Sequence, residues 1–227
     1  MPIPLLNRVL GLAPAAALGA DTFDGIVETY RQAGVDQFGL TVWDGLAENP
    51  LKDGWDDLGW EPDRRQTFAK FLFELDRPLP AVSQDRPFQV RSARPHEQTI
   101  AGGIICHNFG LPDAAVPWMG ALADRPRWQM FFACDASGAP IATGALFIAG
   151  IHAWLGMGTT LPAMREQSAQ QMLLAVRLAA AKAAGCVSAV VEAAPPGNGE
   201  IQHSFNNMGR SGFRQIARRL TFVRRIA

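Results

Sequence analysis

Between Ala153 and Gln170 the chain reads as an apolar strand, a polar loop and the first turn of an alanine-rich helix that stops at Gly185. The opening N–H groups of a helix have no partner inside it, and the aligned peptide dipoles add partial positive charge there. A loop leading into such a turn suits a pyrophosphate. Ser168 is of a type that caps helices well and can present its own N–H to a phosphate. Further on, Glu192 ends the apolar run Ala189-Val-Val-Glu192, where partial desolvation strengthens a carboxylate as a general base; a solvated carboxylate at a strand end is the alternative. His152 and His203 are suited to proton transfer by residue type, and each also fits a plain surface or core role. Two other combinations fail on spacing. Cys106-His107 has no glycine elbow or oxyanion loop beside it. Gly156-Met-Gly158 has Leu161 where a dinucleotide loop needs its third glycine.

The elements that must position these residues follow from pattern. Phe88 to Arg94 alternates as a strand, and Glu97 to about Asp124 reads as mostly helical, broken at Gly102-Gly103, Gly110 and Pro112. Trp128–Cys134 is a buried strand, Asp135-Ala-Ser-Gly138 a hairpin turn into Pro140–Ile148, and Ala149-Gly150 turns into a strand at His152–Gly158. A helix from about Ser168 to Ala184 places Met172, Leu173, Val176 and Ala180 on its core face, and Gly185 takes the left-handed position after it. The result is an α/β, or mixed α+β, protein with an antiparallel meander feeding a crossover helix.

The first eighty residues echo this layout. Val9-Leu-Gly11 resembles Trp154-Leu-Gly156, Ala33-Gly34 resembles Ala184-Gly185, Leu58-Gly59-Trp60 parallels Ser211-Gly212-Phe213, and Arg64-Arg65-Gln-Thr67-Phe68 parallels Arg218-Arg219-Leu-Thr221-Phe222. Four blocks recur in order, with 23 positions from Gly11 to Gly34 against 29 from Gly156 to Gly185. The shortfall lies in the segment that holds the phosphate loop, so this copy is expected to supply sheet surface and no cofactor site. The strands expected are near Arg8–Leu12, Gln37–Val42 and Gln66–Leu75, with helices near Asp24–Ala33 and Pro50–Leu58. The proline-rich stretch 81–87 is the linker, giving a half-domain at 1–80 and a second domain at 88–227.

Composition narrows the function. Of 227 residues 48% are hydrophobic and 19% charged, and 21 basic side chains balance 21 acidic ones, so no global field favours nucleic acid or an anionic membrane. Cys106, Cys134 and Cys186 fit neither a disulfide framework nor metal-ligand spacing, which points to a reducing cytoplasm and no metal site. Met1 to Ala20 has a thin basic end, and Pro14 interrupts its apolar run, so it is a poor match to a leader. The arginines of the last strand, Arg210, Arg214, Arg218, Arg219, Arg224 and Arg225, read as a solvated face.

The loop Thr160-Leu-Pro162-Ala-Met-Arg165-Glu-Gln-Ser168-Ala-Gln170 resembles the acetyl-CoA loop of the GCN5-related N-acetyltransferases (GNATs), matching at Thr160, Pro162, Arg165 and Gln170, with Ser168 in place of a usual glycine. Ser204-Phe-Asn-Asn207-Met-Gly-Arg210-Ser-Gly212-Phe213 resembles that family's short helix ending in Gly-Phe, and the order of the two blocks agrees over residues about 86 to 227. The resemblance implies a GNAT fold: a central, mostly antiparallel sheet with splayed middle strands and flanking helices, here behind a smaller βαβαβ half-domain. It implies acetyl-CoA bound by Met157, Gly158 and Thr159 along the splayed strand, by Arg165, Glu166, Gln167, Ser168, Ala169 and Gln170 at the pyrophosphate, and by Asn207. Direct attack by an amine would follow, with Glu192 as base. Family members commonly place a tyrosine at Met208 to protonate the leaving thiolate; the chain's single tyrosine is Tyr30, so Ser204 acting through water is the substitute, or the thiolate leaves without an acid. The acceptor is expected to be an amine on a small molecule or a protein, in a pocket near Gly102–Ala123 that Trp118, Phe109 and His107 line, and the protein a monomer or homodimer. The alternative is a catalytically silent relative that binds acyl-CoA or a partner.

Overall fold

A computed structural model describes residues 6–11, 20–44, 59–63, 67–81, 88–165, 168–196 and 203–226. The chain forms two compact units, the first from Met1–Lys70, Ala193–Asn206 and Gln215–Ala227, the second from Phe71–Glu192 and Asn207–Arg214. The boundary expected at 81–87 divides the chain by sequence order; by contacts, the C-terminal strand completes the first unit.

In the first unit β1 (Arg8–Val9) runs parallel to β2 (Gln37–Asp44), and α1 (Ala20–Gln32) connects them. β3 (Glu61–Pro62) and β2 both pair antiparallel with β10 (Arg214–Arg225), the β2 register running from Arg218 opposite Asp44 to Arg225 opposite Gln37. Alternation in β2 buries Phe38, Leu40 and Val42. Phe23 and Val27, one turn apart on α1, pack on them together with Trp60, and Tyr30 stacks on Phe38 at 4.2 Å. The expected helix at Pro50–Leu58 lies outside the described residues. Arg219 departs from the solvated face expected for the arginine-rich strand. It is buried, and its guanidinium lies 4.5 Å from the Phe68 ring, because the strand's alternation turns it inward with Thr221. Gly34 and Gly185, and likewise Gly59 and Gly212, share the left-handed conformation at the positions where the two halves echo each other.

The second unit holds the strand order β4-β9-β8-β7-β6-β5. β5 (Gln89–Ser92), β6 (Trp128–Cys134), β7 (Pro140–Ala149) and β8 (His152–Thr160) form the expected antiparallel meander. The β6–β7 turn closes on Asp135, whose Oδ1 accepts hydrogen bonds from Ser137 Oγ, Ser137 N and Ala139 N. α4 (Ala169–Ala183) crosses over to β9 (Ser188–Ala193), parallel to β8, and β4 (Phe68–Glu74) enters this unit beside β9. The short helix α5 (His203–Arg210) follows.

Two expectations about helices are corrected. α2 (Gln98–Phe109) runs unbroken through Gly102-Gly103 and ends at Gly110. Gly102 serves packing: a Cβ there would lie 2.2 Å from the Val116 carbonyl of α3 (Val116–Gly120), and one on Gly120 would lie 2.3 Å from the Gln98 carbonyl. On α4 the buried stripe is Leu173, Leu174, Arg177, Leu178 and Ala181, with Met172, Val176 and Ala180 only partly covered. The stripe is rotated from the expected one because it includes a charged residue.

Glu97 anchors the start of this helical region. It is buried, accepts two 2.7 Å hydrogen bonds from Arg91 and one of 2.7 Å from the Arg94 N–H, and the Arg91 guanidinium holds its carboxyl at about 2. A carboxyl depressed on folding stabilises fully above its unfolded value and loses that contribution as pH falls towards its folded value. Glu97→Gln should therefore cost about 2 kcal/mol at neutral pH. Urea titrations should show the parent chain losing stability between about pH 4.5 and 2, and the substitution should flatten that fall. Parallel pH profiles for the two proteins would refute this role.

Candidate active site

β8 carries the irregularity that organises the site. Its register with β7 sets Gly156 opposite Ala145 and resumes with Thr159 opposite Thr143, so Gly144 alone faces Met157 and Gly158. Two residues against one is a β-bulge. Met157 takes φ 50°, a left-handed backbone uncommon for a residue with a side chain, and its carbonyl accepts a 3.0 Å hydrogen bond from Oγ1 of buried Thr143.

Parallel pairing between β8 and β9 begins at His152 opposite Ser188 and ends at Leu155 opposite Val191. Both strands continue past that point, β8 to Thr160 and β9 to Ala193, without each other as partners. Glu192 is the first residue of β9 beyond the last pair, half-buried, on the strand face that Val190 shares with Trp154. The gap opens beside the bulge.

The loop after β8 makes a single 3-10 turn at Pro162–Met164. Arg165 is held there, its Nε donating to the Thr160 carbonyl at 3.4 Å and its Nη2 to Asn108 Oδ1 of α2 at 3.2 Å. Glu166 and Gln167 lie outside the described residues. Ser168 precedes α4 at φ 69°, ψ 11° with no side-chain hydrogen bond to the helix. This corrects the expectation of a serine cap. A capping side chain needs extended backbone, whereas Ser168 takes the conformation that a glycine reaches without strain. Since Met172 N–H donates to Ser168 O, the amides before Met172 precede the first bond of the helix and point out of its start. Ala169 is buried in this turn. Gln170 Oε1 accepts a 2.9 Å hydrogen bond from Asn207 Nδ2, and Asn207 Oδ1 accepts one of 2.8 Å from Arg210 Nη2. Arg210 and the neighbouring Gln171 then line a cavity of about 450 Å³ with Phe73, Arg77 and Gly212.

The most consequential side chain here was passed over in the sequence reading. Arg177 is 2% exposed, and its Nε donates to the Leu173 carbonyl at 3.0 Å. Its Nη1 donates to the carbonyls of Ala145 on β7 and Gly156 on β8 at 3.2 and 3.1 Å. Burial pushes the guanidinium down to about 10. A Cβ on Gly144 would lie 2.7 Å from its Cζ, so the glycine opposite the bulge makes room for this cation, whereas one on Gly158 would meet Nη2 at an ordinary contact distance of 3.4 Å. The signal was present in the spacing Leu173, Leu174, Arg177, Leu178, Ala181, which is one helical stripe.

No protein-family model and no curated protein sequence matches the chain. Solved structures do. A GCN5-related N-acetyltransferase from Sphaerobacter thermophilus is similar with a TM-score of 0.72 at 15% identity, over 92% of this chain and 68% of that one. One from Kribbella flavida is similar with a TM-score of 0.66 at 16% identity, over 91% and 75% of the two chains. A tandem GNAT protein from the clavulanic acid biosynthesis pathway, solved without acetyl-CoA, gives a TM-score of 0.68 at 14% identity, over 96% and 74%. The chain has the GCN5-related N-acetyltransferase fold.

Within this GNAT fold, the residues expected at a cofactor fall into two neighbouring groups. Met157, Gly158 and Thr159 form the bulge and the strand beyond it, while Arg165, Ser168, Ala169, Gln170 and Asn207 surround the start of α4. Other candidates stand apart. His152 begins β8, five residues before Met157 and so roughly 17 Å from it along the strand, and its Nδ1 is 2.9 Å from Ser188 Oγ. That distance removes it as a base at the bulge. Ser204 is half-buried and His203 exposed in the first turn of α5, both in the first unit. Met208 is 2% exposed, an apolar side chain turned into packing. Burial raises the Cys106 thiol, which agrees with an inert core cysteine. His107, Phe109 and Trp118 are exposed on the helical segment from α2 to α3. No helix among the described residues is long and apolar enough to cross a membrane.

Ser168→Gly tests the loop geometry. Removing the Cβ penalty at φ 69° should raise stability by about 1 kcal/mol, read as an upward shift in thermal midpoint. A loss of stability would mean that the serine side chain caps the helix after all.

Proposed function

We propose that this chain binds acetyl-CoA and transfers the acetyl group to an amine by direct attack. The observation that carries this reading is the loss of β8–β9 pairing after Leu155 and Val191, next to the bulge, with an open helix start one loop downstream. A sheet that stops pairing internally leaves backbone groups in need of partners, and an extended arm bearing amides supplies them. The amides of Ser168, Ala169 and Gln170 would receive the pyrophosphate, with Arg165 and the loop residues Glu166 and Gln167 beside it. Asn207, already tied to Gln170, would meet the arm between phosphate and thiol. The cavity between Arg77 and Arg210 suits the phosphorylated adenosine end.

Chemistry at the thioester follows from position. The amine nitrogen attacks the carbonyl carbon, charge collects on the oxygen, and the C–S bond breaks as the amide forms. Glu192, beside the gap, takes the proton from the attacking nitrogen. Met208 has no proton to give, so the thiolate leaves into the site's own field. The amine acceptor would approach from the α2–α3 segment that bears Phe109 and Trp118. We further propose that the first unit descends from a half-repeat of the same fold, in line with the matched left-handed glycines at 34 and 185 and at 59 and 212.

A second reading, a silent relative that binds acyl-CoA without turnover, is favoured by the buried Met208 where a proton donor would stand. Two measurements separate the readings. Calorimetry with CoA should show binding, and Arg210→Ala should weaken CoA about tenfold while weakening dephospho-CoA less. Equal losses for the two ligands would place the adenosine end elsewhere, and no binding by the parent chain would end both readings. Thiol release from acetyl-CoA over a panel of primary amines should then be seen, with Glu192→Gln lowering kcat about 100-fold at unchanged CoA affinity. Binding without release for any amine would favour the silent relative.

A further inference from the structure

A buried cation is costly unless something negative offsets it, because taking a charge out of water carries a penalty of several kcal/mol. Arg177 is such a cation. Its hydrogen bonds all end on neutral carbonyls, those of Leu173, Ala145 and Gly156, and among the described residues it has no carboxylate partner. It is also not placed at random. Nη1 links β7 to β8 across the bulge, joining the last regular pair, Ala145 opposite Gly156, while Nη2 lies against Gly158. Gly144 lacks the side chain that would displace it. The guanidinium therefore lies directly under the point where β8 leaves β9, with its charge unmatched.

Resting on the acetyl-CoA reading above, we infer that Arg177 is a positioning residue for acyl transfer: it locks the bulge and holds an unpaired positive charge beneath the thioester bound beside Gly158. Negative charge appears there twice during the reaction, on the carbonyl oxygen as the amine attacks and on the sulfur as the C–S electron pair departs with CoA. A fixed cation in a dry site favours both without moving or giving up a proton. It also answers the difficulty raised by Met208. With the thiolate stabilised by charge, the sulfur can leave as an anion and take its proton from solvent afterwards. A leucine or methionine at position 177 would fill the same stripe of α4 at a lower desolvation cost, so packing alone does not account for an arginine.

The thiol of bound CoA reports this field without knowledge of the acceptor. In the complex of the full chain with CoA, thiolate ultraviolet absorbance is titrated against pH, using the complex with desulfo-CoA as the blank. The bound thiol should ionise at least about one pH unit below free CoA, a tenfold larger thiolate fraction at a given pH. Arg177→Lys should keep most of the shift. Arg177→Met and Arg177→Gln should lose it while still binding CoA through the start of α4. A bound thiol that titrates like free CoA in the parent chain overturns the inference and leaves the cofactor reading intact, as does a full shift retained in a folded neutral variant. Failure of the parent chain to bind CoA or desulfo-CoA overturns the cofactor reading itself, and the inference with it. Should neither neutral variant fold, the parent titration decides.

Discussion

The arrangement of the second unit depends on one constraint: β8 and β9 pair for four residues and then cease to pair while both continue. Inside a sheet every N–H and C=O left without a strand partner must find another, since an unmet buried backbone group costs as much as a lost hydrogen bond. The protein meets part of this demand itself. Thr143 supplies a donor to the Met157 carbonyl, and Arg177 supplies donors to Gly156 and Ala145. The bulge at Met157–Gly158 follows from the same demand, because an extra residue is needed to turn β8 away from the register it shares with β7. The loop and α4 then follow from the end of that displaced strand.

Much of this was legible where local chemistry decides local structure. The Asp135–Gly138 turn, the strands alternating around Phe71 and Phe73, and the loop into α4 ending at Gly185 could be read because neighbours in sequence are what hold them. The misreadings share a cause. Gly102-Gly103 looked like a break because propensity scores a glycine against its own helix and cannot register that α3 packs onto that face. Arg177 is missing from the expected core face of α4 because that face was read from apolar residues alone, although its neighbours at i−4 and i+4, Leu173 and Ala181, are both buried. Arg219 was placed on the solvated face by its charge, yet its side chain covers Phe68. Pairing of β10 with β2 joins residues about 180 apart in sequence, and no window of sequence holds both.

That long-range pairing explains why the first unit exists as it does. β1 contributes two residues beside β2, too little to satisfy its backbone, whereas β10 pairs along the whole of β2, from Gln37 to Asp44. Thr41 and Thr221 face each other with their hydroxyls 3.5 Å apart in that pairing, and Arg219 and Arg224 lie over Phe68 and Trp60. The long strand β10 thus completes the pairing of β2, and the first segment becomes part of a folded unit.

Strain and buried charge converge on the place where the strands part. Met157 and Ser168 are two of three non-glycine residues with positive φ among those described, and they flank the stretch that leads from the bulge to α4. Each left-handed residue costs about 1–2 kcal/mol that a glycine would avoid, and the buried guanidinium of Arg177 adds a desolvation cost that an apolar side chain would avoid. Such features persist where the surroundings hold them, and their clustering is the mark of a site in which geometry matters more than stability. Met208 offers no proton, but on the acetyl-CoA reading proposed above a leaving thiolate would need stabilisation of its charge, which the fixed guanidinium of Arg177 would provide without a proton.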